Sequence, residues 1–176
     1  MDALPIGEMA LRIGAAVGLA ALVGLERERK HRPAGFRTMI LISLGSAGFM
    51  LAGEEVVREF QGATGQAEIS RILQGLMGGV GFLGAGAVIQ NKKAVRGLTT
   101  AAAVWVTAAV GAACGMGLYK LAGLVTFAQL FTLVILEHVE ETYFPDHFQT
   151  EDDFNGKGRV ERVVLDDEGR PLEPKG

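Results

Sequence analysis

The sequence predicts an all-α integral membrane protein with about five transmembrane helices. Three observations carry this. Of the 176 residues 49% are hydrophobic, and the mean hydropathy is +0.28. Three long stretches, residues 72–90, 97–119 and 121–136, contain no Asp, Glu, Lys or Arg. The basic residues gather in alternate connections, as they do in cytoplasmic loops of membrane proteins. A buried helix of a soluble protein could account for one such stretch, but five apolar segments in so short a chain would leave almost no amphipathic shell to face water.

Crossing a ~30 Å hydrocarbon core at ~1.5 Å per residue takes about 20 residues, and each segment is read against that length. The first, residues 9–25, carries one charge, Arg12, near its start. Asp2 and Glu8 stand where a cleaved signal peptide would need positive charge, so this segment is expected to be retained. The second, residues 36–53, has Arg37 at its edge, and the third and fourth are residues 72–90 and 97–119. The fifth, residues 121–136, is short for a lone span and adequate within a bundle.

The connection holding Arg27, Arg29, Lys30, Arg32 and Arg37, and the one holding Lys92, Lys93 and Arg96, belong in the cytoplasm by their positive charge. Residues 54–71, rich in Glu, belong outside with the N-terminus. Five spans then place the C-terminus in the cytoplasm. Residues 1–141 form the expected transmembrane domain. Residues 142–176 form a short polar cytoplasmic tail with one predicted strand at 159–165.

Glycine is abundant, 25 residues against 5 prolines, but the apolar content excludes a disordered or collagen-like chain. Gly75 with Gly79 and Gly111 with Gly115 are spaced for close helix contact, because small residues let backbones approach where lipid supplies little drive for association. Helices 3 and 4 are therefore expected to form the packed centre. A locally unwound Gly84-Ala85-Gly86, with carbonyls facing an ion or cavity, is the other reading of this region. Thr100, Thr107, Gly111 and Cys114 share one face of the fourth span. Their hydroxyls are expected to bond back to their own helix, Cys114 to lie in the core, and Trp105 to pack.

A net charge of −3 gives no basis for nucleic-acid binding. Catalytic, metal-ligand and phosphate-loop spacings are absent from the sequence, so the expectation is a non-enzyme with no cofactor and no metal site. No carboxylate lies in the middle of a span. The ionisable groups that touch the membrane are Glu26, Arg27 and Arg37 at one face and Glu68 and Arg71 at the other, with Glu26 expected to pair with Arg37.

Several blocks then stand out in order: Gly24-Leu25-Glu26-Arg27-Glu28, Arg32-Pro33-Ala34-Gly35-Phe36-Arg37-Thr38, Ser70-Arg71-Ile72, Gly81-Phe82-Leu83-Gly84-Ala85-Gly86, and Val95-Arg96-Gly97-Leu98-Thr99-Thr100 with Trp105. Across roughly residues 8–136 the chain resembles the MgtC/SapB family of bacterial membrane proteins. The resemblance implies a cytoplasmic-membrane protein tied to growth under Mg²⁺ limitation and, in pathogens, to survival within host cells. It implies a regulator acting on other membrane proteins, including the rotary ATP synthase, more than a Mg²⁺ transporter. Glu26, Arg27, Arg37, Thr38, Arg71, Gly84, Gly86, Gly97, Thr99 and Thr100 fall on signature positions. Glu68 stands where Asp is common, Met39 stands where a His often follows the Arg-Thr pair, and residues 142–176 are too short for the full C-terminal sensor domain that many members carry. The expected function is thus a non-enzymatic regulator or accessory factor in adaptation to low magnesium. The alternative is a small ion or solute transporter, with a homo-oligomer completing the pore.

Overall fold

The computed structural model describes residues 4–59, 65–90 and 95–136. The chain divides into two compact units, Met1–Leu133 and Val134–Gly176. The expected polar tail and its strand at 159–165 lie outside the described residues.

Five helices follow one another: α1 (Ile6–Arg29), α2 (Phe36–Glu59), α3 (Gly65–Ala87), α4 (Leu98–Gly115) and α5 (Tyr119–Phe131), which continues as a π-helical turn over Thr132–Leu136. Between α3 and α4, β1 (Ile89–Gln90) and β2 (Val95–Arg96) pair antiparallel. The helices follow the expected spans with shifted ends: α3 stops at Ala87 and α4 at Gly115, short of the expected residues 90 and 119, while other ends run longer. α1 runs past residue 25 through Glu26 and Arg27, α2 carries Glu54 and Arg58, and α3 starts ahead of Glu68 and Arg71. Charged residues end an apolar run without ending a helix, because nothing in their backbone preference opposes another turn.

Among the described residues four helices are long and apolar enough to cross a membrane: α1, Phe36–Arg58 of α2, α4, and α5 with its continuation, Tyr119–Leu136. α3 has 23 residues, but its glycines and its Glu68 and Arg71 dilute its apolarity. By length and composition alone, four of the five expected spans are seen among the described residues. The place of α3 comes from connectivity instead. At one end of the bundle Gly24 of α1 abuts Phe36 at the start of α2, where an added Cβ would lie 2.7 Å from the Phe36 Cα. Arg27 bonds Thr100 at the start of α4 at the same end. α2 and α4 therefore begin together and run the same way, and α3 carries the chain back between them.

α4 is the centre of the bundle. Its span is 61% buried, against 33% for α2 and 22% for α1 and α5. It packs on all four other helices, through Val104, Ala108, Val110, Ala113 and Cys114. Its glycine face meets α2 rather than α3. A Cβ on Gly111 would stand 2.7 Å from Ser43 Cα, and one on Gly115 would stand 2.7 Å from Ala47 O. α3 docks on α4 through Val80, which joins Ala103, Val104 and Ala108 in the core, and leaves more room at its glycine, where a Cβ on Gly84 would stand 3.7 Å from Ala101 Cβ. Gly75 and Gly79 meet nothing within 4 Å, so within one chain they are not the packing face their spacing suggested. Spacing marks where a backbone can be approached and says nothing about whether a neighbour is there.

Large apolar side chains such as Leu41, Phe82, Leu124 and Phe127 are exposed around the bundle. In water this would be an aggregating surface. In a bilayer it is the surface that meets lipid. Trp105, expected to pack, is 46% exposed and belongs to this outer surface.

Candidate functional site

The polar chemistry lies in two charged layers at opposite ends of the bundle, joined by one buried stripe of α1. Arg12, Ala16, Ala20, Val23 and Arg27 recur every three or four residues and are all buried, the spacing that puts residues on one helix face. Fifteen residues separate the two arginines, about 22 Å by helical rise. Each guanidinium leaves the apolar stripe only where it reaches an end layer.

At the first end Arg27 is 3% exposed, and its Nη2 donates to Thr100 Oγ1 at 2.9 Å. Glu26 beside it has a side chain 10% exposed, paired with Lys30 at 3.4 Å. Neither carboxylate oxygen has a hydrogen-bond donor among the described residues. The expected partner Arg37 is exposed. Lys30, one turn further along α1, takes its place because i and i+4 side chains meet on a helix. Glu28 accepts the Phe36 backbone N–H at 3.0 Å and so closes the α1–α2 turn. Gly97 opens α4 with φ +83°, where a Cβ would run into Ala87 O; only glycine fits both the angle and the approach.

Of the sequence-predicted residues the fold thus assembles Glu26, Arg27, Gly97 and Thr100, with Gly84 seated against Ala101. Arg37, Thr38, Thr99 and Gly86 are exposed or half-buried around this end. Glu68 and Arg71 pair with each other at 2.9 Å, well exposed at 45% and 73%, on the part of α3 that enters from the opposite end.

The second end was not foreseen. Arg12 is held by Glu8 at 2.8 Å, Glu54 at 2.6 Å and the Gly115 carbonyl at 2.8 Å. Its charge therefore also meets the negative C-terminal end of α4. Tyr119 donates to Glu8 at 3.1 Å, Arg58 to Glu54 at 2.7 Å, and Leu4 N to Glu55 at 2.8 Å. Arg12 partners lie 42 and 103 residues away, which no local pattern reveals.

Between the layers Gln129 of α5, also unforeseen, donates to Ala103 O at 3.0 Å and Thr107 Oγ1 at 3.1 Å. Ser43 donates to Ala16 O at 3.0 Å. Thr100 and Thr107, expected to bond within their own helix, instead link α4 to α1 and to α5. Thr126 and Ser46 do bond back within their helices. Cys114 is fully buried in the core, as expected. Among the described residues no group of three or more His, Cys, Asp or Glu is placed to hold a metal.

This architecture defines a helical membrane protein with its charged clusters at the two ends of the bundle. Residues 13–142 match the MgtC family, and the chain belongs to it. It is 41% identical to protein SrpB of Synechococcus elongatus over 74% of this chain and 77% of that one. It is 38% identical to protein MgtC of Brucella abortus over 69% of this chain, spanning about half (48%) of the relative's length. Over 78% of this chain it is 35% identical to YhiD of Escherichia coli, of which it covers 63%; the name given to that relative proposes magnesium transport. No solved structure matches the chain.

Proposed function

We propose that this protein is a non-enzymatic regulator or accessory factor of the bacterial cytoplasmic membrane in adaptation to low magnesium. It acts through contacts with other membrane proteins, the rotary ATP synthase among them. Family membership supports the link to magnesium, through the relatives named MgtC and YhiD. One observation favours regulation over transport: the small-residue face of α4, where an ion path would need exposed carbonyls, is filled by the backbone of α2 at Ser43 and Ala47. Mg²⁺ sheds water only for a shell of oxygen ligands in near-octahedral geometry, and a packed glycine face does not present one. The proposed topology has five crossings, with the N-terminus outside, because α3 must return the chain between two parallel helices and the basic connections face the cytoplasm.

The alternative is a small Mg²⁺ or solute transporter, completed as a homodimer, which the name of YhiD favours. Proteoliposomes containing only this chain and a Mg²⁺-sensitive dye separate the two. Regulation predicts no influx above that of protein-free vesicles under an imposed gradient. Saturable influx that scales with protein would establish transport.

A further inference from the structure

An apolar groove of about 730 Å³ runs between α2 and α3. Its depth comes from missing side chains: Gly45, Gly75 and Gly79 line it, and a Cβ on any of them would meet nothing within 4 Å. The α2 wall extends from Thr38 to Phe49 and the α3 wall from Leu83 to Ile72. Eleven residue steps of helix make about 17 Å, close to half of a ~30 Å hydrocarbon core. The groove is therefore one leaflet deep. It closes past the middle of α2, where Ile72 Cδ1 lodges against Gly53.

Its other end lies at Thr38, directly beside Arg37. Arg37 is exposed and forms no hydrogen bond or ion pair among the described residues. The connection leading to it carries Arg27, Arg29, Lys30, Arg32 and Arg37 against Glu26 and Glu28. A blind apolar slot of leaflet length with a cation at its mouth matches an acyl chain below a phosphate. A partner helix crossing the whole bilayer needs about 20 residues and would find only half its length received.

We propose that this groove holds one acyl chain of an anionic phospholipid from the leaflet at the Arg37 end, with Arg37 engaging the headgroup phosphate. The site requires only that the bundle spans a membrane, and is independent of the regulatory reading.

The test uses the full chain in detergent, titrated with phosphatidylglycerol or phosphatidylethanolamine of identical tails and read by native mass spectrometry. Phosphatidylglycerol bearing a diazirine in its tail, in vesicles, then maps the contact. The expected result is one phosphatidylglycerol retained per chain, with crosslinks on the facing walls of α2 and α3. Gly79→Leu, which puts a side chain into the groove where a Cβ would meet nothing within 4 Å, should remove the retained lipid while leaving thermal unfolding unchanged. Arg37→Ala should cut the preference for phosphatidylglycerol over phosphatidylethanolamine by about fivefold, the effect of one basic residue at an anionic surface. Equal retention by wild type and Gly79→Leu, or crosslinks spread over α1 and α5, would mean ordinary annular lipid and overturn the site. Equal retention of both headgroups would overturn the role of Arg37. A disulfide between two Gly79→Cys chains in vesicles would put a second copy in the groove and overturn the lipid. None of these outcomes alters Mg²⁺ flux or growth, which test the function.

Discussion

Arg27 places a full charge where only 3% of the residue is exposed, and its bond to Thr100 closes α1 onto α4. Hydrogen bonds to charged groups contribute about 1.5–3 kcal/mol, so Arg27→Gln should lower stability by that order in a detergent unfolding titration. In a double-mutant cycle with Thr100→Val, a coupling below about 0.5 kcal/mol would show that the bond is idle. Gly111→Ala should cost about 1–3 kcal/mol, because the new methyl meets α2 backbone that cannot yield; Gly79→Ala, facing open space, should be neutral or slightly stabilising. Glu68→Gln breaks an exposed pair worth about 0–1 kcal/mol, so any loss of function at unchanged melting temperature would report a contact with another molecule. At this scale the sequence indicated Glu26, Arg27 and Thr100, since charges and hydroxyls at the ends of apolar runs are conspicuous. It named Arg37 as the partner of Glu26, where the structure has Lys30, because the pairing depends on where Arg37 points after the turn.

Single helices show how far patterning goes. The stripe Arg12, Ala16, Ala20, Val23, Arg27 makes α1 a strut with a charged lock at each end. Arg12 looked like an edge residue of the first apolar run, and its role emerges only when α2 and the C-terminal end of α4 arrive beside it. Removing one member of a buried ion cluster leaves its partners without compensation, so Arg12→Ala should cost about 2–4 kcal/mol. Glu54→Gln, which keeps the hydrogen-bonding shape, should cost less. Thermal unfolding of both variants ranks them, and equal small shifts would mean that water replaces the lock. The glycine faces of α3 and α4 were equally visible in the sequence yet serve differently: one is filled by α2 and the other lines an open groove. Gln129, a single amide in an apolar run, gave no signal, and its bonds to Ala103 and Thr107 fix the register of α5 on α4.

For the molecule as a whole, the membrane class was legible because apolar runs near 20 residues fit little besides a bilayer crossing. The order of helices was equally plain. For α3 the apolar run that suggested a span is diluted by glycine, and its crossing in the proposed topology rests on the parallel course of α2 and α4. Single cysteines at Gly7, His31, Ala67 and Leu98, in a chain with Cys114 replaced by Ala, test it by labelling from one side of the membrane. Gly7 and Ala67 should label together and His31 and Leu98 from the opposite side; Ala67 and Leu98 labelling from one side would mean that α3 does not cross. The proposed role rests on this frame, on the Arg27 layer and on magnesium together. The direct measurement is growth of a deletion strain in micromolar and millimolar Mg²⁺, complemented by wild type or by Arg27→Gln at matched membrane abundance. The expected result is a defect confined to micromolar Mg²⁺ that wild type rescues and Arg27→Gln does not. Equal growth of the deletion strain at both concentrations, or full rescue by Arg27→Gln, would contradict it.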